Sequence, residues 1–192
     1  GRYEIDFEKL ETQFSARTKV FLLCSPHNPV GRVWTQEELI RLGELCLKHK
    51  VILCSDEIHS DLILRGCKHT PTAMISEEIA QNSITCSAAN KTFNIAGLTT
   101  GFVIIPNPNL RQRFAHAKQN TGLHLSNLFG ILATEAAYRY GEEWLEELLN
   151  YLQGNLEYLT AFIEEKISDI RVVKPEGTYL AWLDCRELHL ND

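Results

Sequence analysis

Val20-Phe-Leu-Leu-Cys-Ser-Pro-His-Asn-Pro-Val-Gly31 and Val51-Ile-Leu-Cys-Ser-Asp-Glu-Ile-His59 share one plan: a short apolar run that empties into polar residues. Each run is too short for a helix and too uniformly apolar for a half-exposed strand, so each predicts a buried strand of a parallel sheet. Between them stands Thr35-Gln-Glu-Glu38, a capping box in which the threonine hydroxyl closes a free amide and Glu38 reaches back. The helix it opens runs to about His49, with Leu39, Leu42, Leu45 and Cys46 on one stripe. Lys48, His49 and Lys50 suit the negative end of its dipole. Strand, capped helix, strand is a βαβ unit, which makes strands 20–24 and 51–54 parallel with a right-handed crossover. The fold class is α/β, with a mostly parallel sheet.

A third run, Ile84 to Cys86, leads into Ser87-Ala-Ala-Asn-Lys-Thr-Phe-Asn-Ile-Ala-Gly-Leu-Thr-Thr-Gly101. Lys91 has no charged neighbour from Ser83 to Pro106. Most lysines sit in charged company, and one placed among small residues is a candidate for Schiff-base chemistry. Taken alone, an exposed loop lysine is the commoner explanation. In open α/β sheets, however, ligands bind beyond the carboxyl ends of the strands. Asn28, Asp56 and Lys91 each follow such an end, so they are expected to converge on one site. The ordinary roles of the first two are a turn residue before Pro29 and a strand-end aspartate capping a helix from Glu57. Two X-Pro bonds lie close together at Pro26 and Pro29, and their isomers are not legible in a sequence.

The remaining chain predicts a short helix from about Phe7 to Ser15, one near Met74–Gln81 and a strand over 83–87. Strand 101–105 follows too soon for a helical crossover and is expected to be antiparallel. Helices are expected from near Asn109, over Ser126–Arg139, and over Glu142–Lys166, the last with Leu145, Leu148, Leu149, Leu152, Leu156, Leu159 and Ile163 on one stripe. Strands near Ile170–Val173 and Thr178–Leu183 flank the turn signal Pro175-Glu-Gly177. A domain boundary is expected within the long helix, dividing residues 1–150 from 151–192.

The 192 residues carry a net charge of −6, and no basic cluster suggests nucleic acid or a membrane surface. No apolar stretch approaches spanning length, and no h-region follows the N-terminus. The six cysteines form no Cys-x-x-Cys pair, which points to reduced core thiols of a cytoplasmic protein rather than to disulfides or zinc. The seven histidines make no His-Glu-x-x-His, so no metal is expected.

Together, Cys24-Ser-Pro-His-Asn-Pro-Val-Gly31, Ser55-Asp-Glu-Ile-His-Ser-Asp-Leu62 and Lys91-Thr-Phe-Asn-Ile-Ala-Gly-Leu98 resemble the fold-type I pyridoxal 5′-phosphate (PLP) enzymes of the aminotransferase class I/II superfamily. More narrowly they resemble the MalY/PatB-type cystathionine β-lyases, from Asp6 to Asp184. The resemblance implies a PLP-binding large domain of three αβα layers over residues 1–150, and the start of a C-terminal α+β domain over 151–192. It implies that the chain begins in mid-protein. Lys91 would be the Schiff-base lysine and the base at the substrate Cα. Asp56 would pair with the ring nitrogen, and Asn28 and His59 would bond the 3-oxygen. Ser87 would offer a hydroxyl to the phosphate. Aminotransferases of the superfamily usually show tyrosine where His59 stands and arginine where Thr99 stands, and relatives often show serine at Asn90. The activity implied is carbon–sulfur β-elimination on cystathionine or a related amino acid. Transamination is the alternative, and a PLP-binding regulatory protein or an inactive fragment is the third. A homodimer with a small-molecule amino-acid substrate is implied for the full-length protein. Tyr3, His27, His124 and Tyr179 are read as structural.

Overall fold

The computed structural model describes residues 1–122 and 126–190. Helix α1, Phe7–Gln13, is capped by Asp6, whose side chain accepts from the Lys9 amide. Strand β1, Val20–Cys24, is followed after a loop by α2, Gln36–Lys48, and then β2, Ile52–Asp56. The expected capping box is present: the Glu38 amide donates to Thr35 Oγ1 at 3.2 Å and the Thr35 amide to Glu38 Oε2 at 2.8 Å. β1 and β2 are parallel, with Val20 opposite Ile52 and Cys24 opposite Asp56. The stretch expected as one helix near 74–81 is two pieces. A 3₁₀ turn, Thr72–Met74, is separated from α3, Glu77–Gln81, because Ser76 is extended and caps the second piece through the Ile79 amide.

β3, Ser83–Ser87, joins β2 in parallel, and β4, Phe102–Ile104, joins β3 antiparallel, giving a mixed sheet in the order β1-β2-β3-β4. The short connection that required the reversal holds only α4, Ala89–Thr92, and a 3₁₀ turn over Ala96–Leu98. Helices α5, Pro108–Asn120, α6, Leu128–Tyr140, and α7, Glu142–Lys166, follow. The apolar stripe of α7 is its inner face, though only Ile163 is fully buried. β5, Arg171–Val173, and β6, Trp182–Asp184, form a separate antiparallel pair.

The core lies on one face of the sheet. Leu23 and Leu53 meet Trp34, Leu39, Leu42, Cys46 and Ile79 from the loop, α2 and α3. Each such side chain contributes about 1.5–3 kcal/mol when fully buried. The expectation that the strands are buried on both faces does not hold for β1. Side chains alternate along a strand, and with the core on Leu23's face, Val20 and Leu22 take the other and are exposed, Leu22 to 77%. Cys24, Cys54 and Cys86 are half-buried free thiols rather than core residues, while Cys46 is buried as expected. On α6, Leu128, Phe129, Ile131 and Leu132 are exposed; the helix docks through Gly130, where a Cβ would strike Thr100.

The loop between β1 and α2 is closed by Arg32, which is only 3% exposed. Its Nη2 donates to both oxygens of Glu38, at 3.0 and 2.7 Å, and its Nε to Glu176 Oε2 at 3.0 Å. Nη1 donates to the Tyr3 carbonyl, and the guanidinium lies 4.6 Å from the Trp34 ring. The Gly31 carbonyl receives the Glu176 and Gly177 amides at 2.7 and 3.0 Å. Gly31 has φ of +75°, and a Cβ there would come within 2.5 Å of Pro175; glycine is required on both counts.

Removing Arg32 strands two carboxylates that are themselves partly exposed, at about 1–3 kcal/mol. Arg32→Ala is therefore expected to lower the urea unfolding free energy of the chain by that amount. Arg32→Lys should recover only part, since an ammonium cannot span two carboxylates as a planar fork does. A loss below about 1 kcal/mol, within the range of a surface ion pair, would show that Arg32 does not tie these segments together.

Candidate active site

The three strand-end motifs arrive at one edge because β1, β2 and β3 are parallel neighbours. Two backbone bonds stitch that edge: the Ser25 amide donates to the Asp56 carbonyl at 2.9 Å, and the Glu57 amide to the Cys86 carbonyl at 2.8 Å. Asp56 stands opposite Cys24 and Cys86 in register, on the middle strand of the three. No helix follows it. Its Oδ1 instead accepts from the Ile58 amide at 3.2 Å, an Asx turn that leads the chain to His59.

Asn28 is exposed, in a loop pinned by His27 and Arg32, where the His27 amide donates to the Arg32 carbonyl at 2.7 Å. The Ser25-Pro26 and Asn28-Pro29 bonds are both cis. The Asn28 amide points its proton at Cys24 Sγ, 3.4 Å away. Lys91 is half-buried in α4, between fully buried Ala89 and Thr92.

His59 is 1% exposed, and neither ring nitrogen has a hydrogen-bond partner. Its ring packs at 5.3 Å from that of Tyr179. Burial depresses its proton affinity below the ordinary value of 6.5, and the charge of Lys91 depresses it further, against an opposing pull from Asp56. His59 thus lies within electrostatic reach of Lys91 and of Asp56. A buried imidazole normally has both nitrogens satisfied; two orphaned nitrogens beside a lysine and an aspartate suit a polar ligand. The Ser25 hydroxyl, just past β1, and Asn90 Oδ1, just before Lys91, are also unpartnered and shielded from solvent.

Ser87, on the other strand face from Cys86 and Asp56, lines a cavity of about 680 Å³ with Glu57, Asp61, His69 and Thr85. Thr99, at φ of +47°, is an exposed cap of a 3₁₀ turn. Tyr3 belongs to the Arg32 closure and its hydroxyl accepts from Trp182 Nε1. His27 meets Trp34 edge-on, and His124 lies outside the described residues. Among the described residues no cluster could hold a metal ion, and no helix is long and apolar enough to cross a membrane.

Sequence reasoning missed two acids of the second motif. Glu57, 3% exposed, accepts from His69 Nε2 at 3.0 Å, from the Thr72 amide at 2.9 Å and from Ser55 Oγ at 2.9 Å. Burial raises its proton affinity, but those donors together hold it below the ordinary carboxylate value. Asp61 accepts from Thr92 and Tyr138. Strand alternation alone would have put Asp56 and Glu57 on opposite faces, but their partners come from distant segments.

The chain matches the Aminotransferase class I and II family over residues 1–191. It belongs to that family. It is 48% identical to cystathionine beta-lyase PatB of Bacillus subtilis across all of its own length and 50% of that protein's. It is 36% identical to MalY of Escherichia coli over 97% of the chain and 48% of MalY. Among solved structures, cystalysin of Treponema denticola, which contains PLP, superposes with a TM-score of 0.95 at 40% identity, over 98% of this chain and 48% of cystalysin. The chain therefore spans about half the length of these relatives.

His59 also sets a pH dependence. Its folded proton affinity is depressed, so as pH falls through the unfolded value of 6.5 the unfolded chain binds protons that the folded chain refuses. Stability conferred by neutral His59 is complete above that value and lost below it. Urea unfolding free energy is expected to decline from about pH 7 to about pH 5, and His59→Leu should flatten that decline. His27, shifted the same way by burial, will leave a residual slope. A variant as pH-sensitive as the parent would remove His59 from the account.

Proposed function

We propose that the whole protein is a PLP-dependent carbon–sulfur β-lyase acting on cystathionine or a related sulfur-containing amino acid. The observation that carries this reading is His59, buried without a partner beside Lys91 and Asp56 at the carboxyl edge of the sheet. Identity to PatB and MalY, and likeness to PLP-containing cystalysin, support it. The donor set suits the cofactor: an amine, a carboxylate and an imidazole for its aldehyde, ring nitrogen and 3-oxygen.

When bound, PLP supplies an electron sink for charge developing at the substrate Cα. Lys91 would hold the cofactor and then carry the Cα proton as a base. Asp56 would keep a proton on the ring nitrogen by offering a fixed negative charge. The Asn28 side-chain amide and a neutral His59 would donate hydrogen bonds to the 3-oxygen. Ser87 would offer its hydroxyl to the phosphate from the cavity it lines with Asp61 and Thr85. We extend the same reading to a homodimer, to a cytoplasmic location, and to a division between a large domain over 1–150 and a smaller one beginning at 151.

The full-length protein loaded with PLP should convert cystathionine and water to pyruvate, ammonia and homocysteine without an added keto acid. Lys91→Ala should abolish covalent fixation of the cofactor by borohydride and lower turnover by at least the ~10²–10⁴-fold that a positioned base contributes. A requirement for a keto-acid acceptor, with no thiol released, would replace the lyase with an aminotransferase. Fixation on another lysine, such as Lys118, would overturn the site.

A further inference from the structure

Lys91 sits in α4, a helix that cannot hold its own shape. It has four residues, and its N-cap, Ala88, offers no side-chain bond. A nucleus of that length is unfavourable by itself, so its geometry must come from outside. Thr92 is fully buried, and its Oγ1 donates to Asp61 Oδ2 at 2.8 Å. The same carboxylate oxygen accepts from the Tyr138 hydroxyl of α6 at 3.3 Å. Phe93 meets the Tyr138 ring edge-on at 5.5 Å and the Trp144 ring at 5.9 Å. Asp61 lies on the turn that leaves β2 after Asp56 and His59.

We propose that Asp61 is a positioning residue, which fixes the Lys91 turn against the Asp56–His59 segment by accepting from Thr92 and Tyr138 together. The inference rests on the reading of Lys91 given above. Tyr138 is suited to donate: burial, and then the charge of Asp61, push its hydroxyl up to about 12, so it keeps its proton at neutral pH. The Thr92 hydroxyl has no access to water, and without Asp61 it would be left as an unsatisfied buried donor. One carboxylate thus couples the loop after β2, the Lys91 turn and α6. Nothing in a lysine's own neighbours could do this, because α4 carries no acid.

The test uses the full-length protein with Thr92→Val, Thr92→Ser, Asp61→Asn and Lys91→Ala, and reads two quantities. One is the split of kcat against KM on cystathionine with PLP bound. The other is the acylation rate of Lys91 in cofactor-free protein, measured by mass spectrometry relative to Lys118 on α5. Thr92→Val should lower kcat by about a hundredfold, the scale of an ångström-sized misplacement, with KM little moved. It should also speed Lys91 acylation severalfold as the turn opens. Thr92→Ser should restore both. Asp61→Asn keeps a neutral acceptor and should fall between, which provides a reading if the valine variant does not fold. Unchanged kcat and acylation in Thr92→Val or in Asp61→Asn, with Lys91→Ala still losing borohydride fixation, overturns the positioning role and leaves the lysine assignment standing. Retention of fixed cofactor in Lys91→Ala overturns the lysine assignment and this inference with it.

Discussion

The guanidinium of Arg32 is the constraint on which the rest of the molecule depends. It is buried, yet it bonds Glu38 at the start of α2, Glu176 in the turn before β6 and the Tyr3 carbonyl near the N-terminus. An isolated buried charge is strongly disfavoured, and pairing offsets that cost only with good geometry. Here a planar fork meets two carboxylates, and Glu38 is already committed to the α2 cap. Burial would raise the proton affinity of Glu176, but the Val33 amide and Arg32 hold it below the ordinary carboxylate value. The Asn28 loop is thereby fixed at both ends, by β1 on one side and by Arg32 and Gly31 on the other.

The same economy of few, multiply bonded groups recurs at the carboxyl edge. Asp56 and Glu57 are adjacent in sequence and serve opposite faces of the sheet. Asp56 faces the side of Cys24 and Cys86, and its carboxylate is engaged in the described residues only by the Ile58 amide. Glu57 is saturated by His69, Thr72 and Ser55. A saturated buried carboxylate is structural glue. Asp56 instead lies within electrostatic reach of the unpartnered imidazole of His59. The contrast separates the two acids more sharply than their shared motif does.

Lysine placement follows the same logic in three steps. β3 brings the chain to the edge, α4 turns it back, and Asp61 locks that turn through Thr92. The aromatic contacts of Phe93 with Tyr138 and Trp144 extend the lock to α6 and α7. The Lys91 turn is therefore held by segments distant from it in the sequence.

Local rules in the sequence determined a great deal. Apolar runs bounded by polar residues located β1, β2 and β3, the capping box located α2, and the short span after Lys91 required β4 to run antiparallel. The motifs at Asn28, Asp56, His59 and Lys91 were legible because each follows a strand end. What sequence could not determine was everything that depends on which segments meet. Leu22 and Cys54 read as core, yet which sheet face is covered is set by where α2 and α3 pack. Which cavity Ser87 lines is also set by the fold. The two cis bonds, the convergence of Glu38 and Glu176 on Arg32, and the bond from Thr92 to Asp61 are likewise tertiary facts. Each joins partners whose pairing leaves no periodicity or local preference in the chain, so only the folded arrangement decides it.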